Sequence, residues 1–139
     1  PIILFITDTP LAPTSVSPPI SLEFSVLADK GWQNTGISID SQEKFEIKLI
    51  FASWTYWKGQ VSYHGPDGDG YVCGSAGCCE IMPYESKGSL IGKVGNDIFF
   101  VGYGGVLSTN ASGDLFLRIN DCDSGLGDNA GQVIVQIEK

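Results

Sequence analysis

From Ser21 onward, apolar and polar residues recur with a period of two. Phe45, Ile47, Leu49 and Phe51 alternate with Glu46, Lys48 and Ile50. Leu115, Leu117 and Ile119 alternate with Phe116 and Arg118, and Val133, Val135 and Ile137 with Gln132, Gln136 and Glu138. That period places one set of side chains on a single face of a β-strand. Each stretch therefore predicts a strand with one face in a core. Glu23–Leu27, Gly59–Tyr63, Ser89–Val94 and Ile98–Val101 read as further strands, with Gly, Asn, Asp and Ser punctuating them at short intervals. No stretch sustains a helical period, and no solenoid-type repeat is present. The expectation is an all-β domain, a β-sandwich spanning residues 21–139.

Residues 1–20 differ from the rest. Ile2-Ile3-Leu4-Phe5-Ile6 is an apolar run of strand length, expected to be an added edge strand or the remnant of a preceding domain. Pro10 to Pro19 reads as an extended linker, since repeated proline fits neither a helix nor a central strand. The first residue is Pro1 rather than Met, as expected of a processed product or a fragment.

Composition narrows the partners. The chain of 139 residues is enough for one core. Sixteen acidic against eight basic residues give a net charge of −8. This opposes binding to nucleic acid, which rests on Lys and Arg against phosphate. It also opposes adsorption to anionic membranes, and no apolar run is long enough for membrane insertion. The four cysteines, Cys73, Cys78, Cys79 and Cys122, permit two disulfides and with them an extracytoplasmic or secreted setting. A Cys73–Cys78 bridge would close a short loop, leaving Cys79 for Cys122. A zinc site and buried free thiols are the competing readings, although the spacing is not C-x₂-C and His64 is the sole histidine.

The candidate chemistry lies in the segment from Asn120 to Gly131. It holds Asp121, Asp123, Asp128, Asn120 and Asn129 among Gly125, Gly127 and Gly131, between two strand patterns. Hard cations such as Ca²⁺ take six to eight oxygen ligands from such carboxylates, amides and backbone carbonyls. The same residue types also build ordinary turns. The segment is not an EF-hand, because the twelfth position counted from Asp121 is Gln132 and no helical pattern flanks it.

Several segments then fall into one order. Gly31-Trp-Gln-Asn-Thr-Gly-Ile37 comes first, and a strand ending in Ala52-Ser-Trp54 follows. His64-Gly-Pro-Asp-Gly-Asp-Gly70, Cys73-x₄-Cys78 and Gly88-Ser-Leu-Ile-Gly-Lys-Val-Gly95 come next. Gly113-Asp-Leu-Phe-Leu-Arg-Ile-Asn-Asp121 and Asp128-Asn-Ala-Gly131 complete the set. This ordered set resembles the LecA (PA-IL) family of calcium-dependent, galactose-binding bacterial lectins. The resemblance implies a jelly-roll-type, galactose-binding-like β-sandwich with one loop-bound Ca²⁺ whose shell is completed by two sugar hydroxyls. By position it implies side-chain ligands Asp121, Asp128 and Asn129, and carbonyl ligands at Gly125 and Trp57. It implies sugar contacts from His64 with Asp67 or Asp69, and from Asp121, Cys122 and Asp128 beside the metal. The chain departs from the family where Asp69 stands for an amide, where Gly65 separates His64 from Pro66, and where Asp128 replaces an amide ligand.

An exposed aromatic beside such a metal covers the apolar face of a galactose-like ring; Tyr56, Trp57, Tyr63 and Tyr71 are the candidates. Catalysis has little support. His64 has no nucleophile placed beside it, and Asp67 and Asp69 share one turn rather than flanking a cleft as glycosidase carboxylates do. The expectation is a non-enzymatic module for a galactose-type glycan, free-standing, homo-oligomeric or part of a multidomain protein. The competing expectation is an adhesion domain with a purely structural Ca²⁺ and a protein partner.

Overall fold

The alternating stretches fold as two four-stranded antiparallel sheets in the computed structural model, which describes residues 18–139. The apolar run Ile2–Ile6 and most of the proline-rich segment lie outside the described residues. The strands are β1 (Ser21–Leu27), β2 (Gln33–Ile39), β3 (Phe45–Thr55), β4 (Leu90–Val94), β5 (Asp97–Phe100), β6 (Gly104–Leu107), β7 (Gly113–Ile119) and β8 (Ala130–Glu138). One sheet has the order β1-β8-β3-β6 and the other β2-β7-β4-β5. The expected all-β sandwich is the observed fold.

The core lies between the sheets. Val26, Phe45, Ile47, Val133, Val135 and Ile137 from the first sheet meet Ile37, Ile39, Leu90, Leu115, Leu117 and Ile119 from the second. Each such side chain contributes about 1.5–3 kcal/mol on burial. Trp54 is fully buried at the end of β3, and its indole N–H donates to the Gly88 carbonyl at 2.8 Å.

The pattern misplaced some pieces. β3 carries a bulge between Leu49 and Phe51, which pairs Leu49 with Val135 but Phe51 with Ile134. A bulge shifts the side-chain alternation by one, so Phe51 is 49% exposed instead of lying in the core. Gly59–Tyr63 is not a strand. The Trp57 carbonyl accepts from the Gln60 and Val61 N–H groups, closing a turn that returns His64 to pair with Trp54. β2 and β6 were not anticipated, because glycines and polar residues mask their period. Arg118, on the polar side of the β7 alternation, is only 1% exposed.

Between β3 and β4 the chain runs without a strand from Tyr56 to Ser89, and sparse cross-links hold it. Cys73–Cys78 and Cys79–Cys122 are both disulfide-bonded. Backbone bridges join Asp67 to Ser89 and Glu80 to Cys122. The buried Asn120 side chain receives the Met82 N–H at 2.9 Å and donates to the Met82 and Ser86 carbonyls at 2.9 and 3.1 Å. These links lay the irregular segment against the loop that leaves β7.

Candidate functional site

The loop from β7 to β8 is fastened from beneath by Arg118. Its guanidinium donates to the Ile119 carbonyl at 2.9 Å, the Asp121 carbonyl at 3.0 Å and the Asp123 carboxylate at 2.6 Å. Trp32 covers it, with the ring centroid 5.5 Å away. A short 3₁₀ helix of two turns, Asp123–Asp128, carries the chain across. Gly131 then enters β8 at φ +89°, where a Cβ would stand 2.2 Å from the Ser53 carbonyl oxygen. Only glycine lets the two backbones approach so closely.

Asp121 is the centre of the loop and is 2% exposed. Its Oδ1 accepts the Cys122 N–H at 2.8 Å, and its Oδ2 accepts the Asn129 amide at 2.9 Å. The same Asn129 nitrogen donates to the Ala28 carbonyl at 2.9 Å. Two acceptors fix the amide orientation, since reversing it would face oxygen with oxygen. Asn129 Oδ1 is thereby committed to the other side, where it is buried with no hydrogen-bond partner among the described residues. Such an atom costs about 1–3 kcal/mol if left unsatisfied. Gly125 approaches closely, as a Cβ there would sit 3.6 Å from both Asp121 carboxylate oxygens. The Asp128 carbonyl accepts the Lys58 N–H at 2.8 Å, which ties the loop to the turn after β3.

An open cleft of about 250 Å³ stands over this arrangement. Trp57, Asp121, Cys122, Gly125 and Asp128 line it, together with Tyr56 and Lys87. The Lys87 ammonium lies 3.5 Å from Asp121 Oδ1 and 3.6 Å from Glu80 Oε1, and 4.9 Å from the centre of the Tyr56 ring. Burial, and then a hydrogen bond to Asp69, push the pKa of the Tyr56 hydroxyl well above its ordinary value, so it remains a neutral donor.

The family model of PA-IL-like protein matches residues 23–139, covering most of the chain and all of this loop. The chain belongs to the PA-IL-like family. Among solved structures, it is similar to the N-terminal domain of EclA, described as a PllA-like lectin. The identity is 23%, the TM-score 0.66, and the match covers 84% of this chain and 95% of that one. That likeness concerns the fold. No curated protein matches the chain.

In this PA-IL-like chain the other positions named from the sequence sit away from the cleft floor. His64 is not among the residues lining the cleft. Its Nδ1 donates to the Gly65 carbonyl at 2.9 Å, and its Nε2 is buried without a partner among the described residues. Its ring packs on Tyr56 at 5.8 Å and against Gly88. Asp67 is exposed and its backbone pairs with Ser89. Asp69 meets the cleft through Tyr56, whose hydroxyl it accepts, and through its N–H, which donates to the Lys87 carbonyl at 3.2 Å, while its Oδ1 accepts the Tyr71 N–H at 3.0 Å. Asn129 is not part of the lining either, but it holds Asp121.

Sequence reasoning passed over Lys87, Glu80, Arg118 and the stapling role of Asn120. Lys87 sits in Glu85-Ser-Lys-Gly88, which has no periodicity and no motif, so no local signal marks it. Arg118 did carry a signal, because a lone cation flanked by Phe116, Leu117 and Ile119 has little solvated surface around it.

Proposed function

We propose that this protein is a lectin-type carbohydrate-binding module that takes a galactose-type glycan at a Ca²⁺ held by the β7–β8 loop. The observation that carries this reading is the buried Asp121 carboxylate on the floor of an open cleft that Gly125 and Asp128 also line. A buried carboxylate with a second carboxylate on the same cleft fits a hard cation that takes oxygen ligands. Thiolate ligation by a soft metal is ruled out at this loop, because Cys122 is bonded to Cys79. Asp121 and Asp128 would hold the ion with the Gly125 carbonyl; Asn129 would join them only once its amide turned to present Oδ1, and the Trp57 carbonyl only on release of the Gln60 and Val61 N–H groups it now accepts. Bound there, Ca²⁺ would offer open coordination positions to two vicinal sugar hydroxyls.

The chain's own residues do the rest. Asn129 and the Cys122 N–H fix the Asp121 carboxylate so that ligand binding does not have to order it. Asp128, exposed on the rim, accepts a hydroxyl proton. Trp57, 52% exposed, covers the apolar face of the ring. Glu80 gives Lys87 a second partner when a cation engages Asp121. The two disulfides fit an oxidising compartment outside the cytoplasm.

Calorimetric titration of methyl α-galactoside into calcium-loaded protein, repeated after chelation, tests the proposal. Binding that disappears with the metal is the expected result. Clear Ca²⁺ binding with no galactoside heat would overturn the sugar assignment and favour a structural ion.

A further inference from the structure

A second cleft of about 310 Å³ opens beside the first and shares Tyr56, Trp57 and Lys87 with it. Val61, Tyr71 and Glu80 complete it. If the first cleft seats one sugar ring, the second, slightly larger, has room for another. Its walls have the chemistry a pyranose needs. Trp57 and Tyr71 are 52% and 55% exposed, which leaves aromatic surface free for ring C–H groups.

Its floor is polar and built. The Glu80 side chain is only 7% exposed, and its Oε2 is buried with no hydrogen-bond partner among the described residues. The Lys87 ammonium stands 3.6 Å from Glu80 Oε1 and 3.5 Å from Asp121 Oδ1. Both distances exceed the roughly 2.7–2.9 Å of a direct charge-assisted hydrogen bond. The ammonium therefore keeps donor capacity where the two clefts join. A sugar hydroxyl both donates and accepts, so a carboxylate and an ammonium side by side satisfy it completely. The opposite charges leave little net charge on the floor, which suits a neutral sugar better than an acidic or cationic one.

We propose that this second cleft is a subsite for a second, neutral pyranose unit, with Lys87 and Glu80 reading one of its hydroxyls and Trp57 and Tyr71 covering its ring. The preferred ligand is then a galactose-terminated disaccharide rather than a monosaccharide. The proposal rests on the first cleft being the sugar site.

The test is calorimetric titration of calcium-loaded protein with methyl α-galactoside and with galactose-terminated disaccharides of different linkage. At least one linkage should bind about tenfold more tightly than the monosaccharide, the equivalent of about 1.4 kcal/mol. Tyr71 lines the second cleft and not the first. Tyr71→Ala should therefore remove the gain while methyl galactoside affinity stays within about twofold. Glu80→Gln, nearly isosteric, should cut the gain by about threefold or more even if the tyrosine variant folds poorly.

Equal affinity across all linkages, with the monosaccharide bound, overturns the subsite alone. A full gain retained in both variants overturns it as well. No binding of any galactoside overturns the subsite together with the reading of the first cleft. A disaccharide that binds where the monosaccharide gives no measurable heat supports the subsite.

Discussion

Asp121→Asn separates a structural from a metal-holding role for the loop. The substitution keeps volume and removes the charge. Asp121 now accepts from both the Cys122 N–H and the Asn129 amide. An asparagine has one acceptor oxygen, so one of those donors would face an NH₂ group instead. Losing one charge-assisted hydrogen bond at a site 2% exposed costs about 1.5–3 kcal/mol. The Lys87 ion pair adds less, about 0–1 kcal/mol, because the ammonium is partly exposed and keeps Glu80. The metal-free variant should therefore melt roughly 6–15 °C below the parent protein. In the parent, Ca²⁺ at a hundred times its dissociation constant should add about 2.7 kcal/mol, or roughly 10 °C. In Asp121→Asn that calcium-dependent rise should vanish. Differential scanning calorimetry with and without Ca²⁺ reads both effects. A variant with a lowered baseline but an undiminished calcium rise would refute a ligand role for Asp121, and an absent rise in the parent protein would refute the metal site itself.

Replacing Cys79 and Cys122 together with serine opens a link between residues 43 apart and should cost about 4 kcal/mol by loop-closure entropy. The same change at Cys73 and Cys78, five apart, should cost only about 2 kcal/mol; urea melts that show the reverse order would contradict this account. Gly131→Ala should destabilise by about 3 kcal/mol or more, since its Cβ would stand 2.2 Å from a backbone oxygen of β3. A melting temperature within a degree or two of the parent would show that the strands yield. Glu43 accepts from Lys139 at 3.0 Å, and this contact first, then the Asp40 N–H, lowers its pKa below the usual carboxylate value. Its contribution, about 0.5 kcal/mol at a partly exposed site, is present above that usual value and lost as pH falls through the lowered one. The stability gap between the parent and Glu43→Gln should accordingly close on acidification from pH 6 to 3, and a gap that widens would reverse the sign of the linkage.

Much of the fold was legible because a half-buried strand writes its period into the chain. β3, β7 and β8 each show it, since one face meets a core and the other meets water. The period failed where the backbone departs from a regular ladder. The β3 bulge turns Phe51 outward, and the turn after Trp57 replaces an expected strand. The cluster of carboxylate and amide side chains after β7 was legible because its members are close in sequence, from Asp121 to Asn129, between two strands that fix its ends. The second wall of the cleft was not. Lys87 comes from a segment without periodicity, and it stands 3.5 Å from Asp121 where Asn120 and the Cys79–Cys122 bridge hold that segment on the loop. Local spacing thus determined which oxygens stand together. That the Lys87 ammonium faces them was decided by long-range cross-links, because no local pattern records a contact between residues more than thirty positions apart.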